Sequence, residues 1–219
     1  MEIEIRKCSK IIGKATVLDE VEMKMKSGKI YGIKGKNGSG KTMLLRAVCG
    51  LILPTSGEIL IDGEVLGKDI SFPRSIGALI ETPGFIAGYS GKKNLEIIAG
   101  IQNNVSGEEI NQVMENVGLD WTDRKKYKKY SLGMKQKLGI AAAVMGEPEL
   151  IILDEPTNAL DEDSVKKLKE IMTDLKNKGA LILFTCHDTE ELYYLSDEVY
   201  YMENGRLKER AGGVYETEK

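Results

Sequence analysis

Gly35-Lys36-Asn37-Gly38-Ser39-Gly40-Lys41-Thr42 fits the pattern G-x-x-x-x-G-K-[ST]. Residues 29–34 before it form a short β-rich run. Residues 42–48 after it read as a helix closed by Gly50, a residue suited to the end of a helix. Strand, glycine turn and helix in that order make an anion cradle. The glycines let the backbone curl until several N–H groups face one hollow, and the helix adds its positive end. In such a loop Asn37, Gly38, Ser39 and Gly40 surround the phosphates, Lys41 reaches the β- and γ-phosphates, and the Thr42 hydroxyl is placed to ligate Mg²⁺.

A second stretch supports the first. Leu150-Ile151-Ile152-Leu153-Asp154-Glu155-Pro156 reads as a buried strand with two acids at its carboxyl end, where open α/β sheets bind ligands. Asp154 suits Mg²⁺ held through water, and Glu155 is then placed to take a proton from an attacking water.

Composition agrees with an ordinary globular chain. The 219 residues carry 31 Lys+Arg and 34 Asp+Glu, a net charge of −3, and the length suits one or two domains. A content of 42% hydrophobic and 30% charged residues with 24 Gly excludes disorder, collagen and coiled coil as the main state. A pI near 5.5 argues against a nucleic-acid partner bound through phosphate neutralisation. Cys8, Cys49 and Cys186 are odd in number and far apart, and there is one histidine. That spacing fits reduced core thiols in a cytosolic protein rather than a zinc site or a disulfide framework. The first six residues alternate charge with Ile, unlike a signal peptide. The longest apolar run, residues 138–146, falls short of the roughly 18 needed to span a bilayer.

Periodicity changes twice along the chain. Ile3 and Ile5, then Val21, Met23 and Met25, alternate with charged residues as strands do. Residues 57–62 and 76–80 are further strand expectations. Residues 94–101, 108–117 and 131–145 follow a 3.6 period, with Gly118 stopping the second of these helices. Five cations crowd residues 124–129, read as a solvated linker. The last third returns to α/β: strands at 150–153 and 180–185, helices at 161–176 and 189–195, and a hairpin of 198–202 with 207–210 around Asn204-Gly205.

Taken in order, these motifs resemble the ATP-binding subunit of ABC transporters over nearly the whole chain. Tyr130-Ser131-Leu132-Gly133-Met134-Lys135-Gln136 begins its Ser 23 residues before Asp154 and is similar to that family's LSGGQ signature. Ser131 and Gly133 match, whereas Leu132 and Met134 stand where the family has Gly and Gln. Ser131 with the first N–H groups of a helix forms a second anion site. The resemblance implies that it serves the nucleotide of another copy. Asn158-Ala159-Leu160-Asp161 resembles the D-loop between the two sites. His187 matches the switch histidine that contacts the γ-phosphate, a donor to pair with the base Glu155. Glu81 stands where the family offers Gln to Mg²⁺ and to the membrane partner. The adenine platform, usually aromatic, falls on Ile12, with Val17 as a further nucleotide contact. The Glu81 loop and the signature are most similar to the bacitracin and lantibiotic export branch.

The resemblance implies an α/β fold: a P-loop NTPase core with an N-terminal antiparallel β subdomain and an inserted helical subdomain. The core lobe takes residues 1–82 and 146–219, and the inserted lobe, 83–145, carries the signature. ATP and Mg²⁺ are the implied cofactors, with hydrolysis as the reaction. The implied partners are a second ATPase copy or a paired ATPase subunit, and separate transmembrane permease subunits, at the cytoplasmic face of the membrane. Export, with peptide antibiotics as that branch's cargo, is the implied task. The other reading is a soluble ABC-type ATPase acting on ribosomes or DNA. Such relatives carry two cassettes in one chain or a long coiled-coil insertion, and here only about 60 residues separate Pro83 from Met145. A plain P-loop kinase has no use for Ser131 or His187.

Overall fold

The computed structural model describes residues 1–82, 84–102 and 105–209. Alternating apolar side chains shape the first elements. Ile3, Ile5 and Cys8 of β1 (Glu2–Ile12) and Leu18, Val21, Met23 and Met25 of β2 (Ala15–Lys26) face one core, and the two strands pair antiparallel. The chain then leaves for β3 (Lys29–Lys34) and α1 (Lys41–Val48). It returns with β4 (Ser56–Ile61) and the two-residue β5 (Glu64–Val65), completing an antiparallel sheet in the order β2-β1-β4-β5.

The second sheet begins at β6 (Ile76–Leu79). Three helices follow: α2 (Gly91–Gln102), α3 (Gly107–Asn116) and α4 (Leu132–Val144). Next come β7 (Leu150–Leu153), α5 (Glu162–Asn177), β8 (Leu181–Cys186) and α6 (Thr189–Leu195). The hairpin β9 (Glu198–Glu203) and β10 (Arg206–Glu209) ends the described chain. The strand order is β10-β9-β3-β8-β7-β6, parallel except for the β9/β10 pair.

This sheet is buried on both faces, which explains why β7 and β8 lack polar alternation. Leu150, Ile152, Leu181 and Leu183 pack with α1 and the antiparallel sheet. Ile151, Leu153, Ile182 and Phe184 pack with the helices on the other side. Because β3, β7 and β8 run parallel in register (Lys34 beside Cys186, Leu153 beside Phe184), the segments leaving all three emerge at one edge.

Four details go beyond the sequence expectations. The first strand runs on to Ile12. β5 is too short to leave a pattern. α2 starts at Gly91, where the Ser90 hydroxyl accepts from the Lys93 N–H at 3.2 Å. Within the basic segment a 3₁₀ turn forms at Tyr127–Lys129; Tyr127 and Tyr130 are buried while all five cations are exposed. All three cysteines are buried free thiols. Arg210, where the last expected strand ended, and Pro83, where the helical segment was to begin, lie outside the described residues. Among the described residues no helix is long and apolar enough to cross a membrane.

Candidate active site

The turn after β3 wraps a hollow of about 430 Å³ lined by residues 36–43, Val17 and Glu155. Gly40 makes the turn possible. Its φ is 109°, and a Cβ built there would stand 2.6 Å from the Val17 carbonyl oxygen, so strand β2 can lie against the loop. Lys41, buried at 6% exposure, folds back to donate to the Gly35 carbonyl at 2.7 Å and stands 3.4 Å from Glu155 Oε1. The Ser39 hydroxyl is buried without a hydrogen-bond partner. A buried hydroxyl left this way loses hydration with no return, and a phosphate oxygen in the loop would satisfy it.

Two carboxylates meet this hollow from the end of β7. Asp154 accepts from the Thr42 hydroxyl at 2.8 Å and from the Thr185 hydroxyl at 2.6 Å. Glu155 sits in the left-handed region, φ 48°, a conformation that surrounding contacts must enforce on a non-glycine residue. Its N–H donates to Thr185 Oγ1 at 2.9 Å. Its carbonyl and that of Pro156 accept from the Gln136 side-chain amide at 3.0 and 3.1 Å. Its side chain spans Lys41 on one oxygen and His187 Nδ1, 2.7 Å away, on the other. His187 itself is 62% exposed, so it reaches Glu155 from the solvent side. Sequence reasoning overlooked Thr185 and gave Gln136 no role. The signal for Thr185 was a hydroxyl in the otherwise apolar run Leu181-Ile182-Leu183-Phe184.

The signature segment forms a separate edge. Ser131 caps α4, its hydroxyl accepting from the Met134 N–H at 3.2 Å. Gly133 lies under the D-loop: a Cβ there would stand 2.7 Å from the Ala159 carbonyl oxygen. Asp161 caps α5, accepting from the Ser164 N–H at 2.9 Å; the Ser164 hydroxyl holds its carboxyl below the usual range. Leu132 is 69% exposed.

The structure thus gathers Val17, the loop 37–42, Asp154, Glu155 and His187. Ile12, paired with Ala15 at the end of the β1/β2 hairpin that also carries Val17, is half exposed and is not among the residues lining the hollow. Glu81, φ 58°, accepts from Arg46 at 2.7 Å. Arg46 follows Thr42 by one turn of α1, so Glu81 docks on the helix that carries Thr42.

Comparison with known proteins decides the family. Residues 18–158 match the family model described as ABC transporter. The chain belongs to the ABC transporter family. Among relatives of this ABC protein, the ABC transporter ATP-binding protein YybJ of Bacillus subtilis (strain 168) is 44% identical over 99% of both chains. The bacitracin transport ATP-binding protein BcrA of Enterococcus faecalis is 38% identical over 94% of this chain and 68% of its own length. The lantibiotic transport ATP-binding protein SrtF of Streptococcus pyogenes is 35% identical over 94% and 88%. A solved ATP-binding subunit of an ABC transporter superposes with a TM-score of 0.84 at 28% identity, covering 95% of this chain and 88% of that one. A dimeric bacterial ABC transporter cassette shares the fold at a TM-score of 0.84, with 23% identity over 96% of this chain and 100% of that one. This ABC subunit is accordingly an ATP-binding protein and an ATP hydrolase, with the family's α/β cassette fold.

Proposed function

We propose that the chain is the ATPase subunit of an exporter, in which two copies close head to tail on two ATP molecules and move separate membrane subunits. One observation carries the reading: Lys41, Thr42, Asp154, Glu155 and His187, joined through the Thr185 hydroxyl, form a connected polar chain at the ends of three adjacent parallel strands. The geometry suits a triphosphate, with the loop N–H groups and the Ser39 hydroxyl for its oxygens. Thr42 Oγ1 and Asp154 Oδ2 suit Mg²⁺. Among the described residues no three His, Cys, Asp or Glu side chains converge on a metal position, and Mg²⁺ is commonly held by one or two protein oxygens together with phosphates and water. When bound, Mg²⁺ supplies charge neutralisation across the β- and γ-phosphates.

The protein side chains then divide the work. Lys41 turns from the Gly35 carbonyl and Glu155 to the β- and γ-phosphates. Glu155, released from Lys41, takes the proton of the attacking water. His187, with its proton on Nδ1, donates to Glu155 and holds the carboxylate's orientation. Glu81 would stand on the metal side only if it gave up its contact with Arg46, and would then offer Mg²⁺ a further carboxylate oxygen. Ser131, Gly133 and Asp161 serve the other copy's nucleotide. The segment 83–145 acts as a lobe that carries Ser131 and Gly133, against a core of 1–82 and 146–219 that carries Asp161. The relatives named for bacitracin and lantibiotic transport support export and peptide antibiotics as cargo, with the subunit at the cytoplasmic face beside its permease.

The test is ATP turnover by Glu155→Gln. The amide cannot take a proton, so turnover should fall by about 10²–10⁴ while MgATP binding persists. Turnover at the wild-type rate would overturn the assignment.

A further inference from the structure

Glu155 holds its unusual backbone conformation between two side chains from different parts of the fold. Thr185, fully buried in β8, accepts the Glu155 N–H at 2.9 Å while its single hydroxyl proton goes to Asp154 at 2.6 Å. Gln136, on α4, gives its amide hydrogens to the carbonyls of Glu155 and Pro156. Both polar groups of the Glu155 residue backbone are therefore fixed, the N–H from the strand side and the carbonyl from the helix side. A backbone held on both sides fixes the direction of the Glu155 Cα–Cβ bond, from which the carboxylate reaches His187 and Lys41.

We propose that Thr185 and Gln136 are positioning residues for Glu155, and that Gln136 makes the placement of the base depend on the seat of α4. The inference rests on the reading of Glu155 as the base. Its content is additional: α4 begins at the residue after Ser131, so the helix that presents the signature also holds the base of its own copy. A shift of α4 pulls on the Glu155 carbonyl, and turnover then falls while the phosphate loop of the same copy keeps its nucleotide contacts. Thr185 adds a second coupling, since the same hydroxyl serves Asp154 and the Glu155 N–H.

The experiment compares Gln136→Leu, Thr185→Val and Thr185→Ser with wild type, and adds Gln136→Leu in the Glu155→Gln background. Gln136→Leu and Thr185→Val keep side-chain bulk and lose the polar contacts. Each should lower kcat about 10–100-fold, the scale of a misplaced catalytic group, with the Kd of a fluorescent ATP analogue within about twofold of wild type. Thr185→Ser keeps the hydroxyl and should restore kcat to within about threefold of wild type. In single-turnover assays Gln136→Leu should add no further slowing to Glu155→Gln, because both act through one carboxylate. Gln136→Leu with wild-type kcat would overturn the proposal. So would an equal slowing in both backgrounds, or a Kd that rises in step with the loss of kcat. If Thr185→Val fails to fold, the Gln136→Leu pair decides alone. Wild-type turnover in Glu155→Gln removes the base reading itself. Loss of turnover there, with full turnover in Gln136→Leu, removes only this inference.

Discussion

Among the described residues Lys41 is the one buried cation facing the phosphate hollow, and its ammonium is held by a backbone carbonyl and Glu155. Lys41→Ala removes the charge aimed at the β- and γ-phosphates. Binding of a fluorescent ATP analogue should drop at least tenfold; unchanged binding would make the loop a structural turn. Among the described residues, the lining of the hollow includes Val17 and no aromatic ring. Stacking on a ring is worth about 1–3 kcal/mol in base-binding sites. GTP should therefore be hydrolysed within about tenfold of ATP, a gap of 1.4 kcal/mol; a far larger preference would require a ring from outside the hollow. The residues legible in the sequence were those in contiguous motifs, because a loop of eight residues carries its own geometry. The partners of Thr185 and Gln136 were not legible, since their contacts cross 30 and 19 positions of chain; for Thr185 only its hydroxyl beside an apolar run was visible. The standing of Ile12 depends on hairpin register, which a bulged β1/β2 pairing resets.

Elements were legible where one physical signal dominated. The all-apolar β7 and the glycines after α1 and α3 marked their boundaries; Ser131 and Asp161, read as the first residues of their helices, are instead the caps of α4 and α5. The two-residue β5 and the turn at Tyr127–Lys129 left no periodic trace, because their order comes from tertiary partners such as the Phe85 ring, edge-on to Tyr127 at 5.2 Å. Close packing between elements also rests on glycines that periodicity does not reveal. A Cβ at Gly77 of β6 would stand 1.7 Å from the Ala143 carbonyl oxygen of α4, against 2.7 Å from Ala159 at Gly133. The first contact joins two regular elements that must separate, whereas the second meets a loop that can yield. Gly77→Ala should cost about 3 kcal/mol and Gly133→Ala about 1 kcal/mol, within the range for overpacked sites. Urea unfolding measures both; equal costs would mean that the D-loop is as rigid as the β6–α4 contact.

At the scale of the whole molecule, two helix-start edges stand apart. One is the hollow behind Lys41; the other is the N-terminal end of α4, with Ser131 as its cap and Leu132 exposed beside it. If the second edge serves a second copy, as proposed above, a single copy is half of a hydrolytic unit. Stopping hydrolysis while keeping binding should then trap the closed pair, because dissociation awaits loss of the γ-phosphate. The decisive measurement is sizing chromatography of Glu155→Gln with and without MgATP, at a protein concentration where wild type elutes as one copy. The account predicts a shift to twice the mass of the 24.2 kDa chain with MgATP, reversed by adding Ser131→Arg to crowd the second edge. A variant that binds ATP tightly, does not hydrolyse it and still elutes as one copy would contradict the account.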